Sequence, residues 1–267
     1  MKISAKFILK VIIFILILSF ISPFFLNKKI INELVPCLLI LTFFLSIFLM
    51  EKYRFESRKS LISAKESLKK DNRLPVLFLR AFQLDVIKAI RPLKLKSFLP
   101  WSKDNIKTVI LFDETLTGGI NKRIGPFITL GNPNDKLPEI GAYRDYVKDD
   151  WKEVIKSYCE ESSLILILEG VGEGLTWELE YIRKNISHKK ILFLSHPKPF
   201  VSNSDIFVAF TILLKKCAYI VPHISRHIGN IYYVDEMWRL QILGEDINRI
   251  NEYVSVVEEY YKGIKNG

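Results

Sequence analysis

Short apolar runs alternate with helical patterns along residues 74–267, and this alternation restricts the fold. The run SLILILEG at residues 163–170 is apolar without polar alternation, as strands covered on both faces are. Similar apolar runs are found at residues 75–82, 126–133, 189–197 and 230–234. Helical patterns are found at residues 149–162, 175–186, 202–217 and 245–263. The alternation predicts an α/β domain with a mostly parallel sheet and helices on both faces.

Other segments of this domain are less regular. Residues 83–103 are basic and contain two prolines, which predicts a short helix followed by a loop. Residues 108–112 are predicted either as a strand or as the start of a helix. The helix that follows has Asp113 as its predicted N-cap and Gly125 as its predicted C-cap. Residues 134–147 are predicted as a long loop.

Two uncharged apolar runs precede the domain. Residues 11–27 and 34–50 are each just long enough to cross a bilayer as a helix. We therefore predict a transmembrane hairpin over residues 1–50, with the lipid bilayer as a partner. The alternative is a secretory signal followed by one span, but no small-residue cleavage site follows the first run.

The positions of the basic residues predict the orientation of this hairpin. Lys and Arg are frequent before the first run and after the second, whereas the connecting turn has only Lys28 and Lys29. The positive-inside rule then puts both termini in the cytoplasm. The expected location is the cell membrane, with a two-pass anchor at residues 1–50, a helical stalk at residues 51–73 and a cytoplasmic domain at residues 74–267.

The formal net charge of +10 is consistent with a domain that lies next to a membrane. Much of the excess lies beside the apolar runs, where basic residues bind anionic lipid headgroups. No nucleic-acid-binding motif is found, so we expect no nucleic-acid partner. The cysteines have no metal or disulfide spacing, and His223 and His227 lack the glutamate of a zinc-protease motif, so no metal site is predicted.

Candidate site residues follow from the predicted sheet. Ligands of open parallel sheets bind beyond the carboxyl ends of the strands. The first predicted strand ends at Arg80 and Phe82, the second at Gly131 and Asn132, and the third at Glu169. A glycine-rich turn follows the third strand, and it leads through Gly174 and Trp177 to Glu178. We expect these strand ends to lie side by side.

Each of these residues also has a purely structural interpretation. Glu178, predicted in the first turn of its helix, is either a carboxylate for catalysis or an acid that compensates the helix dipole. The glycine-rich segment is either a phosphate-binding loop or a plain tight turn, and the second interpretation is favoured. Trp177 either stacks on a ligand or packs in the domain.

Several motifs resemble known families. The stretch GLTWELEYI at residues 174–182 resembles the glutamate motif of nucleoside 2-deoxyribosyltransferases. A flavodoxin-like framework with a glutamate on the same helix is also typical of TIR domains. The chain is most similar to bacterial membrane-anchored TIR-like proteins, through PVLFLRAF, GPFITLGNPNDKLPEIGAYRDYV, DDWKEVI and GEGLTWELEYI. The resemblance covers about residues 74–196 and implies a flavodoxin-like, TIR-like domain.

The resemblance implies a chemistry as well. Glu178 would attack or stabilise the anomeric carbon of NAD or a related nucleotide, and its leaving nicotinamide needs no general acid. The expected activity is that of a NAD(P) glycohydrolase or a nucleoside (deoxy)ribosyltransferase, with NAD as substrate and no cofactor. A role in bacterial defence, with activation by homo-oligomerisation, is also implied. The alternative is a non-catalytic TIR-like module that signals by oligomerising at the membrane.

Substrate contacts can be assigned by the same resemblance. Arg80 is expected to pair with a substrate phosphate, although a salt bridge to Asp145 or Glu169 is the structural alternative. Phe82 and Trp177 would sandwich a base, although core packing is the favoured alternative for Phe82. Asp145 would bind ribose hydroxyls, and its alternative is an ordinary loop acid. Gly131, Asn132, Glu169 and Gly174 complete the expected substrate-binding set, and Tyr143 and Arg144 are weaker candidates.

Overall fold

The computed structural model describes residues 63–81, 89–93, 106–110, 112–131, 141–147, 149–196, 204–222, 228–247 and 249–266. The predicted transmembrane hairpin and residues 51–62 of the predicted stalk lie outside these ranges. Within them, no helix combines the length and the apolar character that crossing a bilayer requires.

Seven strands form the central sheet. In chain order, the strands of the described residues are β1 (Val76–Leu79), β2 (Ala89–Leu93), β3 (Ile106–Ile110), β4 (Phe127–Leu130), β5 (Tyr143–Asp145), β6 (Leu164–Leu168), β7 (Ile191–Leu194), β8 (Ile231–Val234) and β9 (Leu240–Gly244). The sheet order is β5-β4-β1-β6-β7-β8-β9. The first five strands in this order are parallel, and β8 and β9 are antiparallel additions. The predicted mostly parallel sheet is therefore confirmed.

Helices cover both faces of this sheet. They are α1 (Ala64–Lys70), α2 (Phe112–Arg123), α3 (Trp151–Glu161), α4 (Glu173–Asn185), α5 (Ser204–Lys216) and α6 (Ile250–Asn266). Because successive residues of a strand point to opposite faces, each central strand contributes to two cores. Leu77 and Ile165 pack with residues of α1, α3, α4 and α5. Val76 and Leu164 pack with residues of α2 and α6.

Strand β2 corrects one prediction. Ala89–Leu93 pairs antiparallel with Ile106–Ile110 in a separate two-stranded sheet, so the helix predicted in residues 83–103 is wrong for this part. Pro92 lies opposite Lys107 in the ladder, which is tolerated because each strand of a two-stranded sheet is an edge strand. The ambiguous segment at residues 108–112 contains both the end of β3 and the first residue of α2.

Strands β5 and β9, at the two edges of the sheet, are absent from the sequence analysis. Tyr143–Asp145 forms β5 inside the predicted loop at residues 134–147, where it pairs parallel with β4. Leu240–Gly244 forms β9 between the last predicted strand and the last predicted helix. Both strands are short and mix polar with apolar residues, so neither has the apolar run that identifies a central strand.

Helix α1 is the described end of the predicted stalk. It begins with a capping box, in which Ser63 and Glu66 each accept a hydrogen bond from the other's backbone N–H group. Ala64 is fully buried, and the helix packs against β5. This part of the stalk therefore belongs to the same compact unit as the sheet.

Two adjacent glycines in α2 provide a test of this packing. A Cβ atom at Gly118 would meet no atom within 4 Å, whereas one at Gly119 would lie 2.7 Å from both Cγ atoms of Val254 in α6. We expect Gly118→Ala to raise the free energy of unfolding by about 0.5–1 kcal/mol, because alanine favours helix interiors. Gly119→Ala should lower it, because α6 would have to move. Urea unfolding of both variants measures the difference, and equal effects would contradict the packing of α2 on α6.

Candidate functional site

The carboxyl ends of β4, β1 and β6 are adjacent in the sheet, as the sequence predicts. From β1 the chain proceeds to β4 and β5 on one side, and it then returns to β6 on the other side of β1. The sheet therefore has a topological switch point between β1 and β6, where open α/β sheets bind ligands. Arg80 and Glu169 follow these two strands directly. Phe82 and Asn132 lie outside the described residues.

The glycine-rich turn at residues 170–172 crosses this edge. Gly172 has φ 157° and ψ 158°, a conformation that is essentially limited to glycine. A Cβ atom there would lie 4.0 Å from the Cβ of Ala81, so the turn lies beside the end of β1. Helix α4 starts at Glu173 without a side-chain cap. The acid of its first turn is Glu173, and Glu178 belongs to the second turn, which corrects the predicted position. Compensation of the helix dipole therefore does not explain Glu178.

Glu178 points into the domain. Its side chain is buried together with Leu175, Leu179 and Ile182 of the same helix, and only 5% of its surface is exposed. Oε2 has no hydrogen-bond partner among the described residues. Burial raises the pKa of the Glu178 carboxyl to about 8, because the charged form loses its hydration. Glu180, two residues further on, is exposed.

The Glu178 carboxyl interacts electrostatically with the thiol of Cys159 in α3. Burial raises the pKa of the Cys159 thiol, and the nearby Glu178 carboxylate raises it further. Cys159 is fully buried and has no disulfide bond. Glu178 therefore lies between α4 and α3, in an environment without a described cation that would stabilise its charge.

Trp177 packs against other aromatic side chains. Its ring is stacked on Tyr181, with centroids 5.6 Å apart, and contacts Trp151 edge-on at 5.2 Å. The Nζ atom of Lys152 lies 5.2 Å from the centroid of the Trp177 ring, within the range of a cation–π interaction. A Cβ atom on Gly174 would lie 3.9 Å from the Trp151 ring. Both Gly174 and Trp177 are thus at the start of α4, and Trp177 already has packing partners.

Two other predicted site residues, Asp145 and Gly131, are in contact with neighbouring side chains. Asp145 accepts a hydrogen bond from the hydroxyl of Tyr158, and its Oδ2 lies 4.0 Å from Nζ of Lys65 in α1. Gly131 donates its N–H to the carbonyl of Asp145, and a Cβ atom at Gly131 would collide with the ring of Tyr146. The Asp145 carboxylate is therefore occupied by α1 and α3.

A buried ion pair joins β5 to the start of α2. Arg144 Nη2 lies 2.6 Å from Asp113 Oδ2, and both side chains are almost fully buried. Asp113 lies inside the first turn of α2, where its Oδ1 also accepts the N–H of Glu114, so it is not the N-cap that the sequence predicts. Gly141, at φ 143°, approaches this carboxylate so closely that a Cβ atom would lie 2.6 Å from Oδ2. The pair fixes the amino end of α2 at the edge of the sheet.

Glu169 pairs with His196, a residue that the sequence analysis does not include in the site. Glu169 Oε1 lies 2.9 Å from the backbone nitrogen of His196 and 2.7 Å from its Nδ1 atom. Both side chains are almost completely buried. In the sequence, the only indication of the pair is that each residue closely follows a neighbouring parallel strand, β6 or β7.

A cavity of about 10 Å³ lies between β7, β8 and α5, and Glu169, Phe193 and Tyr232 are among its lining residues. Arg80, Gly131 and Glu178 do not line it. It is far smaller than the several hundred Å³ of a typical ligand pocket. The described residues also contain no group of His, Cys, Asp and Glu side chains that could hold a metal ion.

The raised pKa of Glu178 predicts a pH-dependent stability. The folded chain keeps this proton up to about pH 8, whereas the ordinary pKa is 4.5. The stabilisation is therefore complete below pH 4.5 and is lost as the pH rises towards 8, with a slope of at most about 1.4 kcal/mol per pH unit. We expect the free energy of unfolding of Glu178→Gln, relative to wild type, to increase over this window.

Urea unfolding at several pH values measures this slope. The glutamine shifts the free energy by a pH-independent amount, so only the slope is diagnostic. The matched control is Glu180→Gln, on the exposed side of α4, which should follow the wild type at every pH. Parallel profiles for Glu178→Gln and wild type would show that Glu178 is ionised in the folded chain.

Comparison with known proteins gives no relatives for this chain. No family model matches it, and neither a curated protein nor a solved structure is similar to it at a significant level.

Proposed function

We propose that this protein binds NAD or a related nucleotide and hydrolyses it, or transfers its glycosyl group, at the N-glycosidic bond. The observation that carries the proposal is Glu178, a buried carboxyl without a described cationic partner, on the helix that follows the switch point. Strongly shifted carboxyl groups beside a ligand-binding edge are typical of functional sites. The proposed activity is that of a NAD(P) glycohydrolase or a nucleoside (deoxy)ribosyltransferase.

The strand order supports the TIR-like part of this proposal. Numbered along the chain, β1, β4, β6 and β7 would be strands one to four, and their order in the sheet is two, one, three, four. Flavodoxin-like sheets begin with the same order. The extra edge strand β5 and the antiparallel strand β8 depart from that pattern. We propose a flavodoxin-like, TIR-like domain with these modifications.

Glu178 has the chemistry that the reaction needs. Breaking an N-glycosidic bond gives a sugar with oxocarbenium character, which a carboxylate stabilises or captures as an ester. The carboxyl is largely protonated near neutral pH. A nicotinamide nucleotide carries a positive charge next to the anomeric carbon, and a nearby opposite charge favours the carboxylate form. Binding of a cationic substrate would therefore activate the group that attacks it.

The proposed substrate contacts would lie along the same edge. Arg80 would contact a phosphate, and the turn with Gly174 would pass beside it. Trp177, which packs with Trp151 and Tyr181, would contact the base of the substrate with its ring. Asp145 has a weaker claim to the ribose, because Tyr158 and Lys65 already hold its carboxylate.

Membrane anchoring and assembly belong to the same proposal. The apolar runs at residues 11–27 and 34–50 would anchor two or more copies in one bilayer. Confinement to a surface raises the effective concentration of the domains and favours homo-oligomers. Activation by assembly would suit a role in bacterial defence.

The non-catalytic interaction module is the second candidate. A solvent-facing Glu178 with no concavity beside it would favour it, because a surface acid needs no chemical role. Only 5% of the Glu178 surface is exposed. Burying an unpaired carboxyl costs folding free energy. This observation makes the enzyme the better hypothesis.

Nicotinamide release tests the proposal directly. The full-length chain, reconstituted in lipid vesicles, is incubated with NAD, and released nicotinamide is separated by chromatography. We expect release by the wild type and by the control Glu180→Gln. Glu178→Gln should lose at least about 10³-fold, as expected when a group acting as nucleophile is removed. Absence of release from assembled wild-type protein would reject the enzyme and favour the module.

The pH dependence of the reaction is a separate prediction. The free enzyme must lose the proton of Glu178 before the carboxylate can act, so kcat/KM should rise with pH and level off above about 8. The profile is measured between pH 5 and 9.5 at substrate concentrations below KM. A profile that falls across this range would show that the protonated form is the active one.

A further inference from the structure

Helix α5 exposes apolar side chains on its outer face. Val208 and Ile212 are 55% and 63% exposed, whereas Phe210 and Leu214 of the same helix are buried in the core with residues of β7 and β8. Because residues four apart share one face of a helix, the two exposed aliphatic side chains form a ridge that points away from the sheet. A surface helix usually has polar residues on that face. The ridge therefore contributes nothing to the packing of the domain.

Basic side chains end the same helix. Lys215 and Lys216 are exposed in its last turn, and Lys215 lies three residues after Ile212, on the same side. Residues 206–218 contain no Asp or Glu. Glu180 of α4 is an exposed acid near this end of the helix. We name the exposed aliphatic and basic residues together the α5 surface: Val208, Ile212, Lys215 and Lys216.

The β8–β9 hairpin lies beside the carboxyl end of α5. Shortly after α5 the chain reaches Ile220, which forms a bridge with Arg239, and its N–H donates to the carbonyl of Trp238. Met237 of the same turn is 69% exposed, and Arg239 and the acid Glu236 are exposed as well. Most of the exposed large apolar side chains in the described part of the chain thus belong to α5, to this β-hairpin or to the segment between them.

Charge and shape together identify the partner. An anionic bilayer has apolar chains directly below negative headgroups, which suits aliphatic side chains flanked by lysines. The flexible stem of a lysine lets its ammonium group reach the headgroups while Val208 and Ile212 enter the layer below. A small ligand would need a concave pocket, and the outer face of a helix is convex. A second copy on a two-fold axis would bring the lysines of both chains into one interface without an acid from α5 to pair them.

We propose that the α5 surface is a contact site for anionic lipids, so that the folded domain lies against the bilayer with α5 at the headgroup level. The uncharged runs at residues 11–27 and 34–50 would hold a bilayer close to the domain. The inference goes beyond that proposed anchor, because it assigns a lipid contact to the domain itself. It requires neither Glu178 nor the reaction with NAD.

Photo-cross-linking of the full-length chain tests this contact. A benzophenone amino acid replaces Val208 or Ile212, and the protein is reconstituted in vesicles of phosphatidylcholine and phosphatidylglycerol. Mass spectrometry then identifies the molecule that is attached after illumination. We expect lipid adducts at both positions. The control position is Glu259, exposed on α6 at the opposite face of the sheet, which should give background yields.

Charge reversal tests the role of the lysines. The double variant Lys215→Glu with Lys216→Glu should lower the yield of lipid adducts at position 212 by about tenfold, because each basic residue near an anionic surface strengthens the contact. Vesicles of phosphatidylcholine alone should lower it similarly. The matched control is Lys122→Glu with Lys265→Glu, which reverses exposed lysines in the last turns of α2 and α6 and should leave the yield unchanged.

Each result decides the proposal. Adducts between two protein chains at positions 208 and 212 would identify the α5 surface as an interface between copies and overturn the lipid contact. Absence of lipid adducts at both positions in anionic vesicles would overturn it as well, even if the same vesicles release nicotinamide from NAD. Equal yields in neutral vesicles, or in the variant with reversed Lys215 and Lys216, would reject recognition of the headgroup charge. Lipid adducts without any nicotinamide release would support this inference and reject only the enzyme.

Discussion

Strand β6 is the element on which the rest of the fold depends. Its residues Leu164–Leu168 are buried on both faces, so helices must cover both sides of the sheet. Neither face of this strand has room for polar chemistry. Polar side chains that belong to it can only occur where the strand ends, and there the chain has Glu169 and then the glycine-rich turn. The burial of one strand thus decides where a site can form.

The central strands could be predicted because short apolar runs without polar alternation are typical of strands that are buried on both faces. The edge strands could not be predicted, because β5 and β9 are short and mix polar with apolar residues, so neither has the apolar run of a central strand. The start of α4 shows a related limit. The first residue of α4 depends on the backbone conformation of Gly172, which is essentially limited to glycine. The helix therefore starts at Glu173 and not at the predicted Leu175, which puts Glu178 in the second turn.

The sequence predicts where the candidate site residues lie along the chain better than it predicts what surrounds their side chains. The sequence identifies Glu178 and Glu169 near one edge, because both follow the same strand. It does not show that Glu178 is buried beside α3, since that depends on how two helices pack. It also omits His196, which is 27 residues from Glu169 and reaches it only through the pairing of β6 with β7. Asp145 illustrates the reverse case, because a loop acid in the sequence is a buried partner of Tyr158 in the fold.

Only a short connection joins helix α1 to the central sheet. Residues 71–75 alone separate it from β1, and Arg73 within them donates to the carbonyls of Asn121 and Lys122 at the end of α2. Lys65 of α1 meanwhile lies next to Asp145, the partner of Tyr158 in α3. A mechanical load on the chain ahead of α1 would consequently be shared by β1, α2 and α3 at once.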